Sequence, residues 1–213
     1  MELKDELKNA LVELRKEKPR KFDQTVDLIL NLQKFQVKKE QVNIVVGVPH
    51  PVKQKKICAF LEVENKNIDT VTPNDFSKYN DKKEIKKLVE KYDFFISEAK
   101  LMPKVATAFG RALGPSGKMP SPQLGILMNN DEKELKELIN KINSSVKLRT
   151  KEASIKVAIG KQSMKDEEII ENALSVYNAT EKALARGKEN IKNVEIKFTM
   201  TKPMKIKLRW NQN

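Results

Sequence analysis

The 213-residue chain has few of the side chains from which catalytic and metal sites are commonly built: it contains one cysteine, one histidine and one tryptophan. With a single cysteine, neither a disulfide nor a cysteine-based zinc framework can form within the chain. Cys58 lies in the apolar segment ICAFLEV, so it is predicted to be a buried hydrophobic residue and not a reactive thiol. His50 lies between Pro49 and Pro51, and nothing around it indicates a Ser-His-Asp or Cys-His arrangement. The sequence therefore predicts a protein that is not an enzyme and that uses no metal and no cofactor.

Long apolar runs are absent as well. No stretch of about 18 consecutive apolar residues occurs, so a membrane-spanning helix is not predicted. The first residues, MELKDELKNALVEL, carry acidic side chains where a signal peptide would carry basic ones. We therefore expect a cytoplasmic protein with no membrane partner.

Positive charge is what the chain has in excess. Lysine and arginine number 42 against 29 aspartates and glutamates, which gives a net charge of +13. Such a field attracts polyanions, so it favours a nucleic-acid partner, while an anionic membrane surface and mere solubility remain alternatives. Charged residues make up 33% and aromatics only 6%, a balance that is compatible with disorder. Apolar periodicity nevertheless runs through nearly every segment, so the chain is predicted to be folded throughout.

Two kinds of periodicity divide the chain. Near the N-terminus, helical spacing is followed by strand-like alternation, seen respectively in Leu3, Leu7, Leu11 and Leu14 and in Val26, Leu28, Leu30 and Leu32. A second strand, VNIVVGV, is expected to end at Pro49. Between residues 55 and 143, short apolar strands alternate with helical segments, which is typical of a parallel sheet covered by helices.

After residue 143 the pattern of the N-terminal segment returns, with longer strands and a helix. A strand in SIKVAIG, a helix from Asp166 to Ala185 and a hairpin formed by VEIKFTM and PMKIKLRW are predicted, with the hairpin turn at residues 201–203. The fold class is therefore α/β: an α+β first domain with an antiparallel sheet, formed by residues 1–54 and 144–213, into which residues 55–143 are inserted as a second domain.

The segment LGPSGKMPSP, residues 113–122, resembles a phosphate-binding loop only superficially. A P-loop needs a glycine at the position of Ala112 and a hydroxyl at the position of Met119. A nucleotide-dependent enzyme built on the middle sheet would also need a glycine-rich turn after its first strand, and ICAFLEVENKN contains none. We interpret the segment as a loop structured by its prolines, with a contact between Lys118 and RNA as the alternative.

Two features fit nucleic-acid binding. In the last strand, alternation places cations on one face and apolar residues on the other, namely Lys205, Lys207 and Arg209 against Met204, Ile206, Leu208 and Trp210. That cationic face suits a phosphate track, and it equally suits a solvated edge strand. Arg20 and Lys21 lead into Phe22, which is compatible with a core position or with an aromatic platform for a base or ribose beside the hydroxyl of Thr25.

Four segments together resemble one known family. The stretches KFDQTVDLIL, VPHPV, LGPSGKMP and FTMTKPMKIK are similar, in the same order and over essentially the whole chain, to those of the ribosomal protein L-one family. The GKMP sequence and the short N-terminus resemble the archaeal and eukaryotic branch of the family more than the bacterial one.

The resemblance implies a component of the large ribosomal subunit. Such a protein binds the ribosomal RNA of the mobile stalk beside the tRNA exit site and helps deacylated tRNA leave. Many members also repress translation by binding a similar structure in their own messenger RNA, so ribosomal RNA, its own mRNA and exit-site tRNA are the expected partners. The resemblance further implies that the chain termini build the RNA-binding domain, whereas the inserted domain is a Rossmann-like three-layer unit.

The family's RNA-binding positions can be carried over to this chain residue by residue. They are Lys21, Phe22 and Thr25 at the first strand, Lys151 after the inserted domain, and Thr199, Met200 and Lys202 at the hairpin turn. One position departs from the family, which has glycine where this chain has Thr201. A β-branched residue does not take positive φ cheaply, so either the turn keeps negative φ and RNA still docks, or affinity is reduced.

Overall fold

The chain is described by a computed structural model, which covers residues 2–18, 20–37, 39–65, 67–79, 81–122, 124–128, 131–150 and 152–207. In chain order, the helices and strands are α1 (Glu2–Arg15), β1 (Thr25–Leu32), β2 (Asn43–Gly47), β3 (Ile57–Phe60), β4 (Asp69–Val71), α2 (Lys82–Lys91), β5 (Phe94–Glu98), α3 (Met102–Ser116), β6 (Ile126–Leu127), α4 (Glu132–Asn143), β7 (Ser145–Arg149), β8 (Ser154–Lys161), α5 (Asp166–Ala183), β9 (Ile191–Phe198) and β10 (Met204–Ile206). These elements form two compact units: unit 1 is Met1–Lys53 with Ser144–Asn213, and unit 2 is Gln54–Asn143.

Unit 1 is built on a four-stranded antiparallel sheet in the order β10-β9-β1-β8. Burial alternates along β1, because successive side chains of a strand point to opposite faces. The buried face packs against α1 and α5, and each fully buried aliphatic side chain stabilises the unit by about 1.5–3 kcal/mol. The alternation predicted for β1 and the helical face predicted for α1 are confirmed.

A second, two-stranded sheet in unit 1 joins the segments on either side of unit 2. β2 and β7 pair antiparallel, from Asn43 opposite Arg149 to Gly47 opposite Ser145. Beside this pair, the side chain of Asn172 in α5 is fully buried and bonds to both backbone groups of His50. It accepts from the His50 N–H at 3.0 Å and donates to the His50 carbonyl at 2.9 Å. The proline-flanked segment is therefore fastened to α5 where the chain leaves unit 1.

Unit 2 contains a parallel sheet in the order β4-β3-β5-β6. The chain crosses over the sheet through α2, from β4 to β5, and through α3, from β5 to its parallel neighbour β6. Aromatic rings fill much of the core: Phe60 stacks on Phe95 with centroids 5.7 Å apart, and Phe109 lies 5.1 Å from Phe60. Cys58 is fully buried, as predicted, and this burial raises its pKa to about 12.

The predicted α/β class, with an antiparallel first sheet and a parallel second one, is confirmed. The antiparallel pairing of β9 with β10 confirms the hairpin, whereas residues 208–210 of the predicted last strand lie outside the described residues. The loop predicted at residues 113–122 is partly wrong, because α3 continues to Ser116 before Gly117 ends it at a φ of 72°. In the part of the chain that the structure describes, no helix is long and apolar enough to cross a membrane.

Candidate nucleic-acid interface

The start of β1 and the end of β9 meet at one end of the sheet in unit 1. Val26 lies opposite Phe198, and two threonines join the strands just beyond that pair. The N–H of Thr199 donates to the carbonyl of Thr25 at 3.0 Å, and the N–H of Thr25 donates to the Thr199 hydroxyl at 3.1 Å. Two of the predicted RNA-binding residues, 174 positions apart in the chain, are thus in direct contact.

The turn after β9 is closed by the side chain of Thr201. Its hydroxyl accepts from the N–H of Phe198 at 2.9 Å and donates to the Phe198 carbonyl at 3.3 Å. Its own N–H donates to that same carbonyl at 3.1 Å. Among the described non-glycine residues, only Lys34 has positive φ, so Thr201 keeps negative φ. The sequence left two alternatives for Thr201 in place of the family's glycine. The turn has the geometry of the first, in which φ stays negative.

Met200 is held by its backbone while its side chain is exposed. Its N–H donates to the side-chain oxygen of Gln24 at 3.1 Å, and its side chain has a relative exposure of 57%. Gln24 is only 2% exposed, and its amide nitrogen donates to the side-chain oxygen of Gln162 at 3.2 Å. Gln24 is not predictable from the sequence, because one polar residue before a strand carries no local signal of a partner 176 positions away.

Phe22 is also exposed, with a relative exposure of 51%. The core position that the sequence allowed for this ring is therefore wrong. Among the described residues of unit 1, the large apolar residues that are exposed are Phe22, Met200 and Val12. Because Gln24 contacts the backbone of Met200, Phe22 and Met200 belong to neighbouring segments at the same end of the sheet.

The loop between β8 and α5 is a third segment at this end, which no pattern in the sequence predicts. Asp23 accepts from the N–H of Ser163 at 3.0 Å and from its hydroxyl at 2.9 Å. Desolvation opposes ionisation of Asp23, but the hydrogen bonds from Ser163 and the ammonium of Lys161, 3.6 Å away, outweigh it and lower the pKa of this carboxyl. Arg15 fastens the loop from α1 through Asp166 and the carbonyls of Gln162 and Met164.

The remaining predicted residues fall in three places. Lys21 and Lys202 are exposed beside Phe22 and Met200 in the chain. Lys151 lies outside the described residues. Lys205 and Lys207 are exposed and Ile206 is buried, so the predicted alternation of the last strand holds as far as it is described. We use the name turn surface for the exposed end of the sheet formed by Lys21, Phe22, Thr25, Thr199, Met200 and Lys202.

Comparison with known proteins gives this surface a family context. The model of the family described as "Ribosomal protein L1p/L10e family" matches residues 14–202. The chain belongs to this family.

Three of the similar proteins are each called "Large ribosomal subunit protein uL1". The protein of Pyrobaculum neutrophilum is 37% identical over 205 residues, covering 91% of this chain and 89% of the relative. That of Nanoarchaeum equitans is 34% identical and covers 95% of this chain and 98% of the relative. That of Archaeoglobus fulgidus is 32% identical with the same coverage, 95% and 98%. All three sources are archaeal, in agreement with the predicted branch.

Members of the L1p/L10e family are structural proteins of the ribosome and not enzymes, which confirms the predicted absence of catalysis. The positive charge of this member is concentrated in unit 1. That unit holds 26 lysines and arginines against 16 aspartates and glutamates, so it carries +10 of the net +13. The field that attracts a polyanion therefore has its main source in the unit that contains the turn surface.

Proposed function

We propose that this L1p/L10e family member binds the ribosomal RNA of the mobile stalk near the tRNA exit site, using the turn surface of unit 1. The observation that carries the proposal is the exposure of Phe22 and Met200 on backbone segments that hydrogen bonds to Gln24 and Asp23 hold in place. Exposed apolar side chains on a rigid, basic frame match what RNA recognition uses, since bases and sugars pack on apolar side chains while cations contact phosphates.

The apolar, cationic and hydroxyl side chains have different parts in this proposal. Phe22 packs against a base or ribose, and Met200 gives a second apolar contact next to it. Lys21 and Lys202 contact phosphates. Thr199 acts mainly as a positioning residue, because its hydroxyl already accepts from the N–H of Thr25 and donates to the Thr25 carbonyl at 3.3 Å. Lys151 is proposed as a further cation on the strength of the family resemblance.

Two further activities follow from the same surface. As part of the stalk, the protein would assist release of deacylated tRNA from the exit site. If its own messenger RNA carries a stem-loop similar to the stalk RNA, the same contacts would bind it and repress translation. Both activities use one RNA-binding surface, so they are expected to compete.

The first experiment measures binding of the chain to a stalk RNA fragment and to an unrelated stem-loop of equal length, over a range of salt concentrations. Phe22→Ala and Met200→Ala are expected to weaken binding to the stalk RNA and to leave the weaker binding to the other RNA nearly unchanged. Val12→Ala is the matched control, because Val12 is also a large apolar residue of unit 1, 45% exposed, but lies on α1. Equal binding to both RNAs, unaffected by the substitutions, would contradict the proposal.

The translational role has a separate test. An RNA copy of the leader of the protein's own messenger is expected to compete with the stalk RNA fragment for the wild-type protein and to bind the Phe22→Ala variant weakly. A leader that does not compete would rule out repression through this surface while leaving the ribosomal role intact.

A further inference from the structure

The opposite end of β1 carries a second arrangement that the turn surface does not include. β1 ends at Leu32, which lies opposite Ile191 at the start of β9. The chain then runs through Gln33 to Lys34, next to the short 3-10 turn Gly187–Asn190. The N–H of Gln33 donates to the carbonyl of Asn190 at 2.8 Å, which joins the two segments.

Asn190 clamps these segments with its side chain. The residue is 1% exposed, and its amide nitrogen donates to the carbonyls of Gln33 at 3.1 Å and Lys34 at 3.3 Å. Its amide oxygen accepts from the N–H of Arg186 at 2.8 Å. One buried side chain therefore fixes the backbones of Lys34 and Arg186 beside each other.

The clamp holds Lys34 in a conformation that lysine rarely adopts. Its φ is 51°, and no other described non-glycine residue has a positive φ. A left-handed backbone at a residue with a Cβ costs about 1 kcal/mol or more, and it persists only where surrounding contacts determine it. Strained residues of this kind concentrate at ligand-binding positions, so the conformation points to a ligand-binding role for Lys34.

Lys34 and Arg186 are both exposed, and within the described part of the chain no ion pair involves either of them. Two negatively charged residues, Glu181 and Glu189, lie near Arg186 in the chain. Glu181 lies 4.0 Å from Lys188 and partly neutralises that lysine, whereas Glu189 is exposed in the same 3-10 turn. Two cations at fixed backbone positions thus remain available to an anion.

We propose that Lys34 and Arg186 form a second phosphate-contacting site for RNA, at the end of β1 opposite the turn surface. The proposal rests on the RNA-binding function proposed above and adds a contact that the family resemblance does not supply. From Thr25 to Leu32 the strand rises about 3.4 Å per residue, so the two sites lie roughly 24 Å apart along the sheet. A bound RNA would therefore extend along β1 instead of ending at Phe22 and Met200.

The test uses substitutions that remove charge without disturbing the clamp. Lys34→Asn keeps a residue that tolerates left-handed backbone, and Arg186→Gln keeps the N–H that donates to Asn190. Each is expected to weaken binding of the stalk RNA fragment roughly fivefold at 0.15 M salt and to reduce the slope of log affinity against log salt by about one. Glu189→Gln is expected to strengthen binding.

The matched control is Lys8→Gln, which removes one exposed charge of unit 1 from α1. It is expected to change affinity and salt slope much less than Lys34→Asn does. If Lys34→Asn and Arg186→Gln behave like Lys8→Gln while Phe22→Ala still weakens binding, the second site is overturned and the turn surface stands. If the wild-type chain does not prefer the stalk RNA at all, the proposed function itself fails. Thermal unfolding of each variant shows that lost binding is not lost folding.

Discussion

At the residue scale, Thr201 shows how one side chain can organise the turn after β9. Its hydroxyl satisfies both backbone groups of Phe198, and the residue is 9% exposed, so water does not readily replace these bonds. The turn therefore needs no left-handed residue at this position, where the family has glycine. The same turn presents Met200, whose N–H is bound to Gln24.

Replacing Thr201 by valine is expected to loosen this turn. Thr201→Val leaves the buried N–H of Phe198 without its acceptor, which should cost about 1–3 kcal/mol of unfolding free energy. Affinity for the stalk RNA should fall with it, because the turn that presents Met200 loses its bonds to Phe198, and Thr201→Ser should restore both quantities. Denaturant unfolding and RNA titration measure the two effects.

Thr180→Val is the control for this substitution. Thr180 is fully buried in α5, where its hydroxyl donates to the Val176 carbonyl at 2.8 Å. The same chemical change there should affect stability alone. Equal RNA affinities for Thr201→Val and Thr180→Val would show that the turn hydroxyl does not position Met200.

Cys58 provides a second prediction at this scale. Burial, with Asp69 adding to it and Lys91 opposing it, raises the pKa of the thiol from 9.0 to about 12. Since the folded pKa is the higher one, the contribution to stability is complete below pH 9 and is lost as the pH rises toward 12. At pH 8 a thiol reagent should therefore label Cys58 only as fast as unit 2 opens, and labelling should reach the rate of a free cysteine in denaturant. Rapid labelling in native buffer would contradict the burial of this side chain.

At the element scale, a lysine that follows α3 caps the C-terminal end of α2. α3 ends at Gly117, whose φ of 72° turns the chain back so that Lys118 reaches the last turn of α2. The ammonium of Lys118 donates to the carbonyls of Val89 at 2.7 Å and Tyr92 at 2.8 Å. A cation at a helix C-terminus is favourable because unpaired carbonyls and the helix dipole are negative there. This geometry favours a structural role over the RNA contact that the sequence left open for Lys118.

Lys118→Met is accordingly expected to lower the stability of unit 2 by about 1.5–3 kcal/mol, the usual range for hydrogen bonds to a charged group. Affinity for the stalk RNA should change no more than in Lys104→Met, which removes an exposed lysine from α3. Unfolding followed by circular dichroism, together with RNA titration, separates the two effects. A large loss of RNA affinity specific to Lys118→Met would restore the RNA-contact interpretation.

The same scale explains what the sequence could predict. The alternation of β1 and the periodicity of α1 are local consequences of one buried face, so the sequence alone predicts both elements. Strand pairing is not: β1 lies between β8 and β9, more than a hundred positions away, and nothing in its own residues specifies that order. β4 and β6 were missed, because strands of three and two residues leave almost no pattern. Family resemblance pointed to Phe22 and Met200, whereas Gln24, Gln162 and Ser163 became visible only through contacts between distant segments.

At the scale of the whole molecule, charge is distributed unequally. Unit 1 carries +10 and unit 2 carries the remaining +3, from 16 lysines and arginines against 13 aspartates and glutamates. Electrostatic attraction between exposed charges is screened within about 8 Å at physiological salt. Phosphate contacts should therefore depend on where cations lie and not on the net charge of the chain.

Two triple variants with equal net charge test this dependence. One carries glutamine at Lys21 and Lys202 of the turn surface and at Lys165 of the neighbouring loop between β8 and α5, all in unit 1. The other carries glutamine at Lys83, Lys100 and Lys104 in unit 2, and all six lysines are exposed. Both lower the net charge from +13 to +10. The first should lose stalk RNA affinity steeply and reduce the salt slope by about two to three, because each lost phosphate contact lowers it by about 0.9. The second should keep nearly the wild-type slope. Equal losses in both would mean that net charge alone governs binding, and the turn surface would then have no special part in it.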